Sequence, residues 1–128
     1  SESEKVIQMN NGVKEETIAM ILDEKVLQSD LAVLGEERML KIINLFKQSS
    51  KENVLQLKEA IDSSDAHQVN QLAHKLKGSA GSLGLMQLHS LCHAYEQHGK
   101  NNDISQCKND ELSQIYGAAI LAINEFFT

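Results

Sequence analysis

Proline is absent from all 128 residues, and from Lys14 onward apolar side chains recur at steps of three and four positions. Proline breaks helices and punctuates turns, and a period near 3.6 residues gathers apolar side chains on one stripe of a helix. Strand-forming aromatics are scarce, with two tyrosines, three phenylalanines and no tryptophan, which disfavours a β-sandwich. The expected fold class is all-α. A chain of this length supports one hydrophobic core and is too short for two, so a single domain is expected.

Residues 1–13 are polar, carry the Asn10-Asn11-Gly12 run and read as a flexible tail or linker, leaving 14–128 as the helical domain. Ile18, Ile21 and Leu22 begin the amphipathic pattern, which resumes after Ser29 and Asp30 as Leu31 and Leu34 before Gly35. These are one or two short helices with Gly35 as a stop. Met39, Ile43, Phe46, Val54, Leu57 and Ile61 then keep to one stripe, predicting a long helix from Glu36 to about Asp62 with a bend at Gln48 to Lys51. Ser63-Ser64-Asp65 offers capping oxygens for a helix to about Leu83, which Gly84 ends. A further helix, Leu85 to His98, carries Leu88, Leu91, Cys92 and Tyr95 and is closed by Gly99. The last carries Leu112, Ile115, Tyr116, Ala119, Ile123 and Phe126. Short connections make these an antiparallel four-helix bundle with one or two short additional N-terminal helices.

The formal net charge is −6, from 18 acidic against 12 basic residues. That balance argues against nucleic acid or an anionic membrane as partner and for another protein. No apolar run approaches the roughly 18 residues of a membrane span, and the N-terminus has no signal-peptide core. Cys92 and Cys107 have no metal-spaced neighbours, so neither zinc nor a disulfide scaffold is indicated, and reduced thiols in cytoplasm fit best. Cys92 falls on an apolar stripe and reads as core. A chain starting at serine and a linker-like segment reads as a piece of a longer protein.

The segment Ala66 to Leu83 is the most informative. At about 100° per residue, Val69, Leu72, Ala73, Leu76, Ala80 and Leu83 share one face. His74 points roughly 160° from its centre, framed by Asn70, Gln71, Lys77 and Gly78, with Gly81 close by. Glycine within a helix costs about 1 kcal/mol relative to alanine, so two of them beside an outward histidine depart from good helix design. Such departures mark functional surface.

AHKLKGSAGSLG, from Ala73 to Gly84, closely resembles the active-site helix of histidine-containing phosphotransfer domains, whose pattern runs approximately AHxLKGSAxxLG. The resemblance continues downstream through Leu88, Leu91, Cys92 and Glu96 and upstream through ILDEKVLQSDLAVLGEE, covering about Ile21 to Phe127. Tyr95 departs from it where an aliphatic residue is usual, which bears on local packing. The resemblance implies that His74 is the phosphoacceptor, that Lys77 and Gly78 are the characteristic residues after it, and that Glu96 helps orient the ring. It also implies a monomeric four-helix bundle in a cytoplasmic bacterial two-component phosphorelay. The partners are response-regulator receiver domains, which supply the acidic phosphoacceptor and the Mg²⁺. The chain itself then binds no cofactor and has no independent turnover. Such a module is either free-standing or the C-terminal piece of a hybrid sensor histidine kinase, and the start at serine with linker-like leading residues favours the second.

Each role has its own physical reading. A neutral imidazole has one nitrogen with a free lone pair, and a carboxylate accepting the other N–H selects the tautomer. Glu96, flanking the core stripe of the next helix, is the candidate acceptor. Lys77, one turn from His74, neutralises phosphoryl charge, with Lys75 at longer range. Gly78 and Gly81 let a partner approach, and His67, Gln71 and Lys75 complete the partner-facing surface. His89 and His93 stand four apart, but with no Glu after His89 and no third ligand they read as surface histidines, so no metal site is expected. The alternative is a docking or regulatory module that binds receivers without transferring phosphate.

Overall fold

The computed structural model describes residues 15–128, and the regular structure among them is entirely helical. The tail expected over residues 1–13 lies outside the described residues. The helices are α1 (15–21), α2 (Glu24–Leu34), α3 (Glu36–Asp62), α4 (Ala66–Ser82), α5 (Met86–Lys100) and α6 (Asn109–Phe126). The last four form the bundle: α3 packs on α4, α4 on α5, α5 on α6, and α6 returns to α3. Cross-links between α3 and α6 run in opposite senses, Lys47 to Asn124, Ser50 to Tyr116 and Asp62 to Asn109, so the two helices are antiparallel. The core is the merged apolar stripes: Met39, Ile43 and Leu57 from α3, Val69, Ala73 and Leu76 from α4, Leu88 and Cys92 from α5, Leu112 and Ile123 from α6. Burying each of the larger of these stabilises the fold by about 1.5–3 kcal/mol.

Three local expectations change. The first break falls at Leu22-Asp23, not at Ser29-Asp30, which lie inside α2. Asp23 caps α2, its carboxylate accepting from the Lys25 N–H at 3.2 Å, while its own N–H donates to the Gly84 carbonyl at 2.8 Å. Tertiary contact thus selects which aspartate caps the start of a helix. No break interrupts α3 at Gln48 to Lys51: Ser50 is fully buried and its hydroxyl bonds Tyr116 Oη at 2.7 Å, so a polar residue occupies a core position with a partner. Gly99 lies inside α5, where it allows close helix contact and does not terminate it.

Gly84 connects α4 to α5 at φ +76°, and a Cβ there would stand 2.7 Å from the Asp23 carbonyl oxygen. The left-handed turn and the contact with the α1–α2 junction both require glycine. Tyr95, the departure from the family pattern, is buried with its hydroxyl donating to Glu111 Oε1 at 2.7 Å and accepting from the Lys108 N–H at 2.9 Å. The larger side chain therefore fastens the 101–108 loop to α5. Both cysteines are free and buried. Burial pushes their thiols up, Cys92 to about 12 and Cys107 to about 11, so both remain protonated and unreactive near neutral pH.

Candidate functional site

α4 starts where the Asp65 carboxylate accepts from the Gln68 N–H at 3.2 Å. Val69, Ala73, Leu76 and Ala80 are buried along its inner stripe, with Leu72 half-buried at the edge. That placement turns the opposite side outward, and the His74 side chain is 70% exposed. The core stripe of α5 brings Glu96 alongside, only 14% exposed, with Oε1 3.3 Å from His74 Nδ1. A carboxylate at that distance accepts the Nδ1–H, which leaves the lone pair on Nε2.

Lys77 does not reach into solvent. Its side chain is 20% exposed and the ammonium lies 2.7 Å from Glu96 Oε2, so one carboxylate holds both the ring and the lysine. The Lys77 ammonium, followed by the His74 ring, keeps the Glu96 carboxyl below the usual carboxylate range although burial opposes this. A carboxyl whose folded value is depressed stabilises the fold fully above its unfolded value, and this contribution is lost as pH falls through the folded value. Acid unfolding followed by circular dichroism should show Glu96→Gln with a shallower loss of stability below the ordinary carboxylate range than the unaltered chain. Identical acid limbs would separate the pair from stability.

Three further residues, whose roles the sequence did not single out, set this geometry. Asn70 Nδ2 donates to the Glu96 carbonyl at 2.9 Å, one turn before His74. Gly99 lets α5 approach closely, since a Cβ there would lie 2.6 Å from Asn70 N and 2.7 Å from the Ala66 oxygen. His89 Nδ1–H donates to the Lys77 carbonyl at 3.1 Å. The His89 ring lies over Gly81, where a Cβ would stand 2.8 Å from Nδ1. The room at Gly81 is thus taken by the chain's own histidine, whereas a Cβ at Gly78 would meet nothing within 4 Å. The periodic pattern gave no signal for these contacts, since Gly99 read as the end of its helix and Asn70 only as one of the residues framing His74.

Gly78→Ala is expected to stabilise the fold by up to about 1 kcal/mol through helix propensity, and to slow exchange with a partner that approaches over that position. Thermal unfolding and transfer kinetics on the same sample check the pair of effects. His67, Gln71 and Lys75 are exposed on the outward side of α4, as is His93 on α5. Among the described residues, no three or more His, Cys, Asp or Glu side chains come together as a metal site, and no helix is long and apolar enough to cross a membrane.

A family model described as the Hpt domain matches residues 41–120, a span holding His74, Lys77, Gly78 and Glu96. The fold is similar to the crystal structure of histidine-containing phosphotransfer protein B (HptB) from Pseudomonas aeruginosa PAO1, with a TM-score of 0.76 and 23% sequence identity, covering 84% of this chain and 96% of that one. Curated proteins gave no match.

Proposed function

Because the chain belongs to the Hpt domain family, the histidine phosphotransfer modules of phosphorelay signalling, we propose that His74 is its phosphoacceptor, taking a phosphoryl group from the aspartyl phosphate of one receiver domain and passing it to another. The observation that carries this reading is the exposed His74 ring with its Nδ1 held by Glu96 at 3.3 Å. In the forward step Nε2 attacks phosphorus, the N–P bond forms as the bond to the carboxyl oxygen breaks, and the aspartate leaves as carboxylate. No proton has to move. The ring then carries a proton on Nδ1 and phosphorus on Nε2, so it is formally cationic, and the Glu96 carboxylate offsets that charge.

Lys77 anchors Glu96 in the resting protein through the 2.7 Å pair. After transfer its ammonium, one helical turn from His74, shares itself between Glu96 and the phosphoryl oxygens, which gives it the charge-neutralising role. The chain acts as a monomeric, stoichiometric carrier in the cytoplasm. The Mg²⁺ that this chemistry uses belongs to the receiver.

The test is labelling by a purified receiver domain charged with acetyl phosphate. The label should be acid-labile and alkali-stable, and nitrogen-phosphorus coupling in the NMR spectrum should place phosphorus on Nε2. Phosphorus on Nδ1 would overturn the assigned tautomer, and a label on serine, stable to acid, would overturn the carrier reading.

A further inference from the structure

Charge is segregated between the site-bearing helices and the rest of the chain. From Ala66 to Lys100, the span of α4 and α5, there are three lysines, Lys75, Lys77 and Lys100, against the single carboxylate Glu96, a net charge of +2. Since the whole chain carries −6, the remainder carries −8. Glu96 is already committed to Lys77 and His74. The cationic charge left over on these two helices belongs to Lys75 and Lys100, both exposed, and among the described residues neither forms an ion pair. Exposed His67 on α4 and His93 on α5 add two imidazoles to these helices. The nearest acidic border is on the α3 side, where Glu59 and Asp65 line a cleft with Gln68 and Leu72.

The same face is poor in apolar surface. Large apolar side chains are exposed at Met20, Val33, Leu40, Ile42, Leu45, Leu55, Met86 and Leu121, and of these only Met86, at the first residue of α5, lies on α4 or α5. A partner approaching His74 over Gly78 therefore meets polar and cationic groups.

We propose that the α4–α5 face recognises an anionic protein surface, the acidic surround of the partner's phosphate-bearing carboxyl, and that charge more than apolar burial sets how fast the two meet. This rests on the phosphotransfer reading above. Opposite charge speeds diffusional encounter, and the effect weakens with ionic strength because salt screens it. The −8 carried by the other elements repels the same partner surface, which disfavours encounters in the wrong orientation.

The experiment measures the second-order rate of transfer from a phosphorylated receiver domain that labels the unaltered chain. That rate should fall about tenfold or more between low and high salt. The double variant Lys75→Glu, Lys100→Glu should be slower by about tenfold or more at low salt and converge with the unaltered chain at high salt; Lys100→Glu alone, at an exposed position with no part in the chemistry, should also be slower at low salt and keep the same maximal rate at saturating receiver. Lys51→Glu, on α3 away from this face, should change none of these. Phosphoramidate, a small-molecule donor, should label His74 equally in the unaltered chain, Lys100→Glu and Lys51→Glu, which shows each one folded and reactive. A rate indifferent to salt and to charge reversal, or one slowed only by Met86→Asp, would overturn the proposal while leaving the phosphotransfer reading intact. Failure of receiver phosphate to reach His74 of the unaltered chain at all would overturn both.

Discussion

His74→Gln should lower labelling by a phosphorylated receiver by about a thousandfold or more, to background, while leaving the thermal midpoint within a degree or two. The expectation of a near-complete loss follows from nucleophilic transfer needing a nitrogen lone pair at the point of attack, which a glutamine amide lacks. No neighbouring histidine substitutes in place. His67 lies nearly two helical turns earlier, and His89 has its Nδ1 on the Lys77 carbonyl and its ring against Gly81. The small stability effect follows from the 70% exposure of the side chain, since surface substitutions away from packing change stability by only about half a kcal/mol. Glutamine can still present its amide N–H to Glu96, so the carboxylate is not left unpartnered. Phosphate retained on another histidine of the variant, located by mass spectrometry, would show that the relay does not depend on His74.

Gly99→Ala should unfold the protein more readily by about 2–3 kcal/mol, although alanine is the better helix former by about 1 kcal/mol. A Cβ at residue 99 would stand 2.6 Å from Asn70 N, 2.7 Å from the Ala66 oxygen and 2.9 Å from Asn70 Cα. Those are backbone atoms, so relief requires α4 and α5 to separate. The same movement would pull the Glu96 carbonyl from Asn70 Nδ2 and loosen the Glu96 grip on the His74 ring. Urea denaturation measures the loss of stability, and the variant should also transfer phosphate more slowly at saturating receiver. A stability equal to or above that of the unaltered chain would mean that the helices separate without cost, contrary to the close packing of protein interiors.

Much of this architecture was legible in the residues. The stripes through Met39 to Ile61 and Val69 to Leu83 are periodic over many turns, so α3 and α4 appear with ends close to those expected, and the outward direction of His74 follows from the same periodicity. The N-terminal pair was less legible because Asp23 and Asp30 offer similar capping chemistry. The choice falls to Asp23 through its backbone bond to Gly84, which is far away in sequence. Ser50 looked like an interruption because a hydroxyl in an apolar stripe costs free energy unless it finds a partner. That partner, Tyr116, is supplied by another helix.

Gly78 and Gly81 show the limit for the site. Both lack side chains on the side of α4 that carries His74, and periodicity treats them alike. In the folded chain Gly78 opens to solvent and Gly81 receives His89. Lys77 is similar: its spacing from His74 was plain, whereas the pairing of its ammonium with Glu96 depends on where α5 lies.

What the residues determined by themselves is what lies along a single helix: the all-helical class, the buried stripe of α4, the face that carries His74, and the positions of its close neighbours, because about 100° of rotation per residue relates them. What tertiary structure alone decided is everything that crosses from α4 to α5. The shared grip of Glu96 on His74 and Lys77, the seat of His89 over Gly81 and the closeness allowed by Gly99 all depend on the axial register of two packed helices. That register is set by how side chains of both helices interlock, a relation between segments that neither carries alone.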